Sequence, residues 1–125
     1  MPRKPSRQIT EGELRLMNVL WDKGRSTVGE IVDALPAKPP LAYSTVLTTL
    51  RILEVKGYVR HEKEGRAFVY EPALAREEAS TGAVRHLLAR FFDNSPELLL
   101  ASLLKDEKIS RKELDRLKRM IAECQ

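Results

Sequence analysis

The stretch from Leu41 to Gly57 combines an apolar stripe with a hydroxyl-rich side, and this pattern suits contact with nucleic acid. In an α-helix the positions expected to be buried are Val46, Leu50 and Leu53. The positions on or beside the opposite, outward side are Ser44, Thr45, Leu47, Thr48 and Arg51. Hydroxyl and guanidinium groups can hydrogen-bond to base edges and to phosphates. An ordinary amphipathic helix with a solvated polar side has the same pattern, so the neighbouring elements must decide between the two.

Composition restricts the class of protein. The chain has 125 residues, 42% hydrophobic and 32% charged, which is typical of a folded helical protein of one domain or two very small ones. The formal net charge of +4 is compatible with a nucleic-acid partner but does not establish one. No apolar run has the length of a membrane span, and no apolar segment follows the basic start, so we expect neither membrane insertion nor a secretory signal. The single cysteine, Cys124, cannot form an internal disulfide and fits a reducing cytoplasm.

The first half of the chain has the layout of a helix-turn-helix. Two capping boxes, Thr10 with Glu13 and Thr27 with Glu30, begin two short helices separated by about four residues. The first is expected to bury Leu14, Met17, Leu20 and Trp21, and the second Val28, Ile31, Val32 and Leu35. The proline-rich segment 36–40 cannot continue a helix. A longer third helix is expected to begin near residue 43 or 44 and to end at residue 56, with a glycine cap after it.

Beyond that cap the apolar period changes from 3.6 to 2. Residues 58–62 and 67–71 are predicted strands, joined by residues 63–66 with Gly65 where a tight turn requires it. Three helices followed by a small hairpin form a winged helix. The basic candidates on this wing are Arg60, His61, Lys63 and Arg66. Two glutamates lie among them, and a solvated hairpin of mixed charge would have the same composition. The first eight residues are also basic and could contact phosphates or have no role.

Residues 73–125 are predicted to be helical and are unusually apolar. The helices are expected over residues 73–92, from a Ser-Pro start at residue 95 to residue 104, and after a third capping box, Ser110 with Glu113. The last of these is expected to bury Leu114, Leu117 and Ile121. About fifty residues are near the lower limit for an independent core. Two copies could cover this surface in a symmetric dimer, and folding back onto the N-terminal domain is the alternative. The candidate dimerisation residues are Leu87, Leu88, Phe91, Phe92, Leu99, Leu100, Leu103, Leu104, Leu117 and Ile121.

The residue patterns of catalysis and metal binding are missing. The two histidines, His61 and His86, are far apart in the chain and have no convincing set of metal-ligand partners. No glycine-rich phosphate loop, Ser-His-Asp set or carboxylate pair stands out. We therefore expect no enzyme activity, no cofactor and no metal.

Two stretches, residues 9–35 and 43–72, resemble the penicillinase-repressor family (BlaI/MecI), which has CopY as a copper-responsive relative. The matching pieces are the Glu13-to-Trp21 helix, Thr45-Val46-x-Thr48, Lys56-Gly57-Tyr58 and Tyr70-x-Pro72. The resemblance implies a dimeric bacterial repressor on a palindromic operator, with its third helix in the major groove and its wing beside it. Matched by position, the implied base and phosphate contacts are Ser44, Thr45, Leu47, Thr48 and Arg51.

The sequence also departs from the pattern of that family. Ile52 and Val55 replace basic residues of the relatives, which implies fewer phosphate contacts on the second half of the helix. Leu47 suggests contact with a thymine methyl group. A lone Cys124 lacks the paired cysteines of the copper-responsive branch. In the drug-resistance branch a membrane-bound sensor protease cleaves an Asn-Phe bond, and residues 100–104 here contain no such pair.

The sequence therefore predicts a mostly α-helical, homodimeric winged-helix repressor of a resistance or stress-response operon. Residues 1–72 would bind DNA and residues 73–125 would dimerise. The predicted DNA-contacting residues are Tyr43, Ser44, Thr45, Leu47, Thr48, Arg51, Arg60, Lys63 and Arg66. The expected partners are double-stranded operator DNA and a second copy. A membrane-bound sensor protease is one candidate for release, and the missing Asn-Phe pair leaves proteolysis, a ligand and a redox change open as the release mechanism. The alternatives are a winged helix that binds an acidic protein and a regulator that senses a small molecule.

Overall fold

The computed structural model describes residues 8–36, 40–105 and 109–124. Its elements are α1 (Glu11–Lys23), β1 (Ser26–Thr27), α2 (Val28–Ala34), α3 (Tyr43–Val55), β2 (Val59–Glu64), β3 (Ala67–Pro72), α4 (Arg76–Phe91), α5 (Pro96–Lys105) and α6 (Arg111–Glu123). The strands form an antiparallel sheet in the order β1-β3-β2. The basic residues of the predicted N-terminal arm and most of the proline-rich link lie outside the described residues.

The first compact unit extends to Ser80, and its core lies between α1, α2, α3 and the sheet. Its fully buried apolar side chains include Leu16, Met17, Leu20, Val28, Ile31, Val46, Leu50, Leu53 and Tyr70. The predicted buried stripe of α3 is confirmed. For α1 the prediction was partly wrong: Leu14 and Trp21 are only half-buried, and Leu16 takes the interior position instead. The core side of α1 is therefore rotated toward the side that carries Glu13.

Glu13 connects the beginning of α1 to the end of α3. Its carboxylate accepts hydrogen bonds from the Thr10 backbone N–H at 3.0 Å and from Lys56 Nζ at 2.8 and 3.0 Å. Lys56 Nζ also donates to the Gln8 carbonyl oxygen at 2.9 Å. Burial raises the pKa of Glu13, but the hydrogen bonds from Lys56 and Thr10 together with the Lys56 charge outweigh burial, so the pKa lies below its ordinary value. This ion pair fixes one end of α3 on the body of the unit.

The hairpin is tighter and better supported than the sequence suggested. Strand β2 continues through residues 63 and 64, which were predicted to lie in the loop, so the turn contains only Gly65 and Arg66. Gly65 has a φ of +62°, a conformation that a glycine adopts without strain. The two-residue strand β1 was not predicted, and it pairs with β3 through Ser26–Tyr70 and Thr27–Val69. The wing is therefore the edge of a three-stranded sheet.

The segment after the wing is held against α1. The backbone N–H groups of residues 73 and 74 donate to the Tyr58 carbonyl oxygen at 2.8 and 3.2 Å, so α4 begins at Arg76 and not at residue 73 as predicted. Trp21 Nε1 donates to the Leu74 carbonyl oxygen at 2.9 Å. Arg76 pairs with Asp22 at 2.7 Å. The assignment of residues 1–72 to DNA binding and of 73–125 to dimerisation stays a prediction.

The second unit, from Thr81, contains the end of α4 together with α5 and α6. Asp93 and Asn94 have positive φ angles and end α4 as predicted, and the Ser110–Glu113 capping box is confirmed. None of the residues described in this unit is buried. Leu114 and Leu117 are half-buried, but Ile121 is 65% exposed in the single chain, contrary to its predicted burial. None of the described helices combines the length and apolarity needed to cross a membrane.

Candidate nucleic-acid interface

The outward side of α3 is polar, accessible and free of acid in its first turn. Ser44, Thr45, Thr48 and Arg51 are exposed, and Tyr43 at the first position is 54% exposed. Ala42 occupies the N-cap, and no side chain of the described residues caps the first-turn N–H groups. These N–H groups and the positive end of the helix dipole favour approach of an anion. The polar residues predicted to face outward thus share one accessible surface.

Leu47 and Thr49 lie at the border of this surface. Leu47 is half-buried and packs against the core, so it is less outward than the sequence suggested. Thr49 Oγ1 donates to the Thr45 carbonyl oxygen at 2.8 Å, so its hydroxyl is already satisfied within the helix. The residues with the freest hydroxyl groups on α3 are therefore those on the central line of the outward side.

The wing is fastened to α3 by His61. His61 Nδ1 lies 2.7 and 2.9 Å from the two carboxylate oxygens of Glu54. Its ring is 5.2 Å from the Tyr70 ring and meets the Phe68 ring edge-on at 5.5 Å. Burial raises the pKa of Tyr70, the nearby Glu54 adds to this effect, and Arg51 opposes it. His61 therefore joins the wing to α3 and does not stand free on the wing.

The basic residues predicted on the wing do not form one surface. Successive residues of a strand lie on opposite faces, so Arg60 and Lys63 lie on different faces of the hairpin. Arg60 Nε pairs with Glu71 Oε1 at 3.1 Å, directly across the ladder. Lys63 Nζ lies 6.0 Å from the centre of the Phe68 ring on the other face. Arg66 is exposed in the turn.

Arg25 is a basic residue at this site that sequence reasoning missed. Its Nη2 atom lies 2.6 Å from Glu64 Oε2 and 3.5 Å from Glu62 Oε2. The hydrogen bond from Arg25 and its charge lower the pKa of Glu64. No sequence pattern relates residues 37 or more positions apart on different strands, so only the sheet pairing reveals this contact.

The arrangement suits recognition of a polyanion and not catalysis. Hydroxyl and guanidinium groups on α3 can bind base edges and phosphates, and the wing places cations beside them. Within residues 8–36, 40–105 and 109–124, no cluster of His, Cys, Asp and Glu could hold a metal ion. An outward polar helix beside a β-hairpin, on a three-helix core, defines a winged-helix DNA-binding protein.

Comparison with known proteins gives the family. Residues 9–123 match the penicillinase repressor family. The chain is 28% identical over 116 residues to the penicillinase repressor of Bacillus licheniformis, covering 93% of this chain and 91% of that protein. It is 33% identical over 115 residues to the transcriptional regulator BlaI of Mycobacterium tuberculosis, covering 90% and 82%.

A solved structure agrees with these relatives. The solution structure of the DNA-binding domain of the repressor BlaI matches with a TM-score of 0.53 at 33% identity, covering 61% of this chain and 93% of that domain. The chain therefore belongs to the penicillinase repressor family and is a DNA-binding transcriptional repressor, not an enzyme. The resemblance and the winged-helix fold predicted from the sequence are both confirmed.

Proposed function

We propose that the protein acts in the cytoplasm as a homodimer that represses a resistance or stress-response operon by binding a palindromic operator. The observation that carries this proposal is the outward side of α3. Ser44, Thr48 and Arg51 are exposed there, while the opposite side of the same helix is fully buried. A helix held this rigidly can present its polar side to the major groove without losing its packing.

Base readout in this proposal comes from the hydroxyl groups of α3. Ser44 and Thr48 can hydrogen-bond to base edges in the major groove, and Leu47 can only partly reach a thymine methyl group because it packs against the core. Tyr43 and Thr45 lie beside them near the first turn. The contribution of each of these side chains remains a prediction.

Phosphate attraction in this proposal is divided between α3 and the wing. No ion pair holds Arg51, Lys63 or Arg66 within the described parts of the chain, so these three cations can turn to phosphates at little cost. Arg60 must first give up Glu71, and its share is therefore smaller. Each neutralised phosphate releases counterions, so the affinity should fall steeply with salt.

The apolar surface of the second unit supports the homodimer. Six of the predicted dimerisation residues are exposed in the single chain: Leu87, Phe91, Leu100, Leu103, Leu104 and Ile121. The other four, Leu88, Phe92, Leu99 and Leu117, are half-buried. Burying one leucine or phenylalanine side chain stabilises an assembly by about 1.5–3 kcal/mol. A second copy supplies that cover and also doubles the number of α3 helices available to a palindromic site.

Release of the repressor by a membrane-bound sensor protease is one of the release routes that the sequence leaves open, beside a ligand and a redox change. The stretch Leu100–Leu104, where the family resemblance places the cleaved bond, lies inside α5 and has exposed side chains. A protease would need this helix to open locally before the backbone could enter an extended active-site cleft.

Thr48→Ala tests base readout. The probe is a duplex of about 30 base pairs that the wild-type chain selects from a random-sequence library, long enough for two half-sites. Loss of the hydroxyl should reduce discrimination between this selected duplex and a random duplex by about 1–3 kcal/mol in titrations at fixed salt. Thr49→Ala is the matched control, because that hydroxyl is bonded to Thr45 and should be dispensable. Equal losses on both duplexes for Thr48→Ala would contradict base readout.

The alternative, a winged helix that binds an acidic protein, has a different signature in the same experiment. Such a module would enrich no sequence from the library, and its weak binding to any duplex would depend on salt alone. Enrichment of a palindromic sequence would exclude it.

A further inference from the structure

The wing has no net charge of its own. Between residues 59 and 72, the three cations Arg60, Lys63 and Arg66 are balanced by the three carboxylates of Glu62, Glu64 and Glu71. A hairpin of balanced charge gains little from a phosphate backbone, because each carboxylate repels what each cation attracts. Something outside the hairpin must remove this balance if the wing is to contribute to DNA binding.

Arg25 adds a positive charge to the wing from the opposite edge of the sheet. It directly precedes β1, and β3 lies between β1 and β2, so its side chain crosses the middle strand to reach the far one. Its guanidinium group lies 2.6 Å from the Glu64 carboxylate and 3.5 Å from that of Glu62. Arg60 forms an ion pair with Glu71 on the same face of the hairpin. All three carboxylates of the wing are thus paired with arginines on one face.

The opposite face carries Lys63 and none of the three wing carboxylates. Lys63 is directly across the ladder from Phe68 and lies over its ring, and His61 on the same face is held by Glu54 of α3. Neither Lys63 nor Arg66 forms an ion pair with any residue of the described ranges. The three wing carboxylates therefore lie on one face together with Arg60, and the face next to α3 carries Lys63 and His61, with Glu54 of α3 as its carboxylate.

We infer that Arg25 is a positioning residue for DNA binding, which acts by pairing with Glu64 and, at longer range, with Glu62, and so offsets one of their two negative charges on the face opposite Lys63. The inference rests on the proposed function, since it assigns to Arg25 a share of the wing's attraction for phosphates. Arg25 does not itself touch DNA in this account. Its effect passes through the two glutamates and is therefore cancelled when they are uncharged.

A double-mutant cycle on the full chain tests this coupling. Arg25→Gln should weaken binding to both the selected and the random duplex by about threefold to tenfold at low salt, and by less as salt is raised. In a Glu62→Gln, Glu64→Gln background the same substitution should change affinity by less than about twofold. Lys23→Gln is the matched control, because it removes one exposed positive charge two residues away that forms no ion pair in the described structure. Its effect should be the same in both backgrounds.

Three results would overturn the inference. An equal loss from Arg25→Gln in both backgrounds would mean that Arg25 contacts phosphate directly or only supports the fold. An Arg25→Gln chain that binds as tightly as wild type would show that Arg25 has no role in DNA binding.

If Arg25→Gln lowers the thermal midpoint so far that binding cannot be compared, the affinity of the Glu62→Gln, Glu64→Gln chain is the deciding measurement. Its affinity should rise by less than about threefold at low salt, because Arg25 already offsets one of the two charges and both acids lie opposite Lys63; a larger gain would contradict the inference.

Failure of the inference is distinguishable from failure of the proposed function. If the wild-type chain selects no duplex from the library, operator binding itself is wrong, and the inference falls with it. If a duplex is selected but the cycle shows no coupling, the repressor function stands and only the role of Arg25 is lost.

Discussion

The two units of the molecule use the same local signals but bury their side chains very differently. Helix α1 in the first unit and α6 in the second both begin with a capping box, and in each the cap oxygen accepts the third N–H at 3.1 Å. In the first unit Glu13 of that box is buried and bound to Lys56. In the second unit Glu113 of the equivalent box is exposed. Local sequence sets where helices begin, but only tertiary partners decide what is buried.

The same contrast extends to the cores. All buried apolar side chains of the described residues lie at or before Leu74, and α5 and α6 contain none. The first unit is therefore stabilised within one chain, whereas the described leucines of the second unit are exposed or half-buried in the single chain. If the proposed dimer forms through the second unit, its loss should leave the fold of the first unit intact, and the two properties should be separable by mutation.

Leu50→Ala should have the largest effect and should act within one chain. Leu50 is fully buried, and truncating such a side chain leaves a cavity in the first unit. The free energy of unfolding should fall by about 2–5 kcal/mol in denaturant titrations. The loss should not depend on protein concentration if it arises within the chain. A loss that depends on protein concentration would show that contacts between chains also stabilise the first unit, and it would contradict the distinction between the two units.

Leu103→Asp should act between chains. Leu103 is 42% exposed in the single chain, so a charge there is tolerated by the monomer but would be desolvated in a dimer interface. Sedimentation should show the dimer weakened by about 2 kcal/mol or more, with unchanged unfolding of the first unit. Ala101→Asp is the control, since it adds the same charge to the polar side of α5. Equal behaviour of the two variants would place the interface elsewhere.

Glu13→Gln compares the two capping boxes directly. Removing the charge that binds Lys56 should lower the free energy of unfolding by about 1–3 kcal/mol at neutral pH. Because the folded pKa of Glu13 lies below its ordinary value of 4.5, its contribution is present above that value and is lost as the pH falls through the lowered folded pKa. The difference between wild type and variant should therefore shrink with acidification below about pH 4.5.

Glu113→Gln is the matched control for that comparison. Its carboxylate caps α6 in the same way but is exposed and forms no ion pair with a lysine among the residues that the structure describes. It should change the unfolding curve less than Glu13→Gln does. A larger loss of unfolding free energy from Glu113→Gln would show that capping, and not the ion pair with Lys56, accounts for the stability that the Glu13 box contributes.

Features determined by neighbouring residues could be predicted from the sequence, and those determined by distant partners could not. The three capping boxes, the buried stripe of α3 and the break at Asp93 and Asn94 all depend on residues a few positions apart. The choice of Leu16 over Leu14 for the core depends on how α1 packs and on Glu13 finding Lys56 forty-three residues later. Strand β1 has two residues, too few to show a period, and forms only because β3 lies beside it.

The candidate site divides in the same way. The exposure of Ser44, Thr48 and Arg51 follows from helical periodicity and could be read from the sequence. The placement of the wing carboxylates on one face and of Lys63 on the other could not, because residues 63 and 64 were assigned to the loop. Once they are strand residues, alternation places Lys63 and Glu64 on opposite faces, and Arg25 can reach only one of them.

The number of chains bound to one selected duplex tests the central claim most directly. That claim is that the outward side of α3 is presented in duplicate through the apolar second unit. Native mass spectrometry or sedimentation of the complex at saturation should find two chains on each duplex, with no complex containing a single chain of comparable stability. One chain per duplex at full affinity would contradict the account.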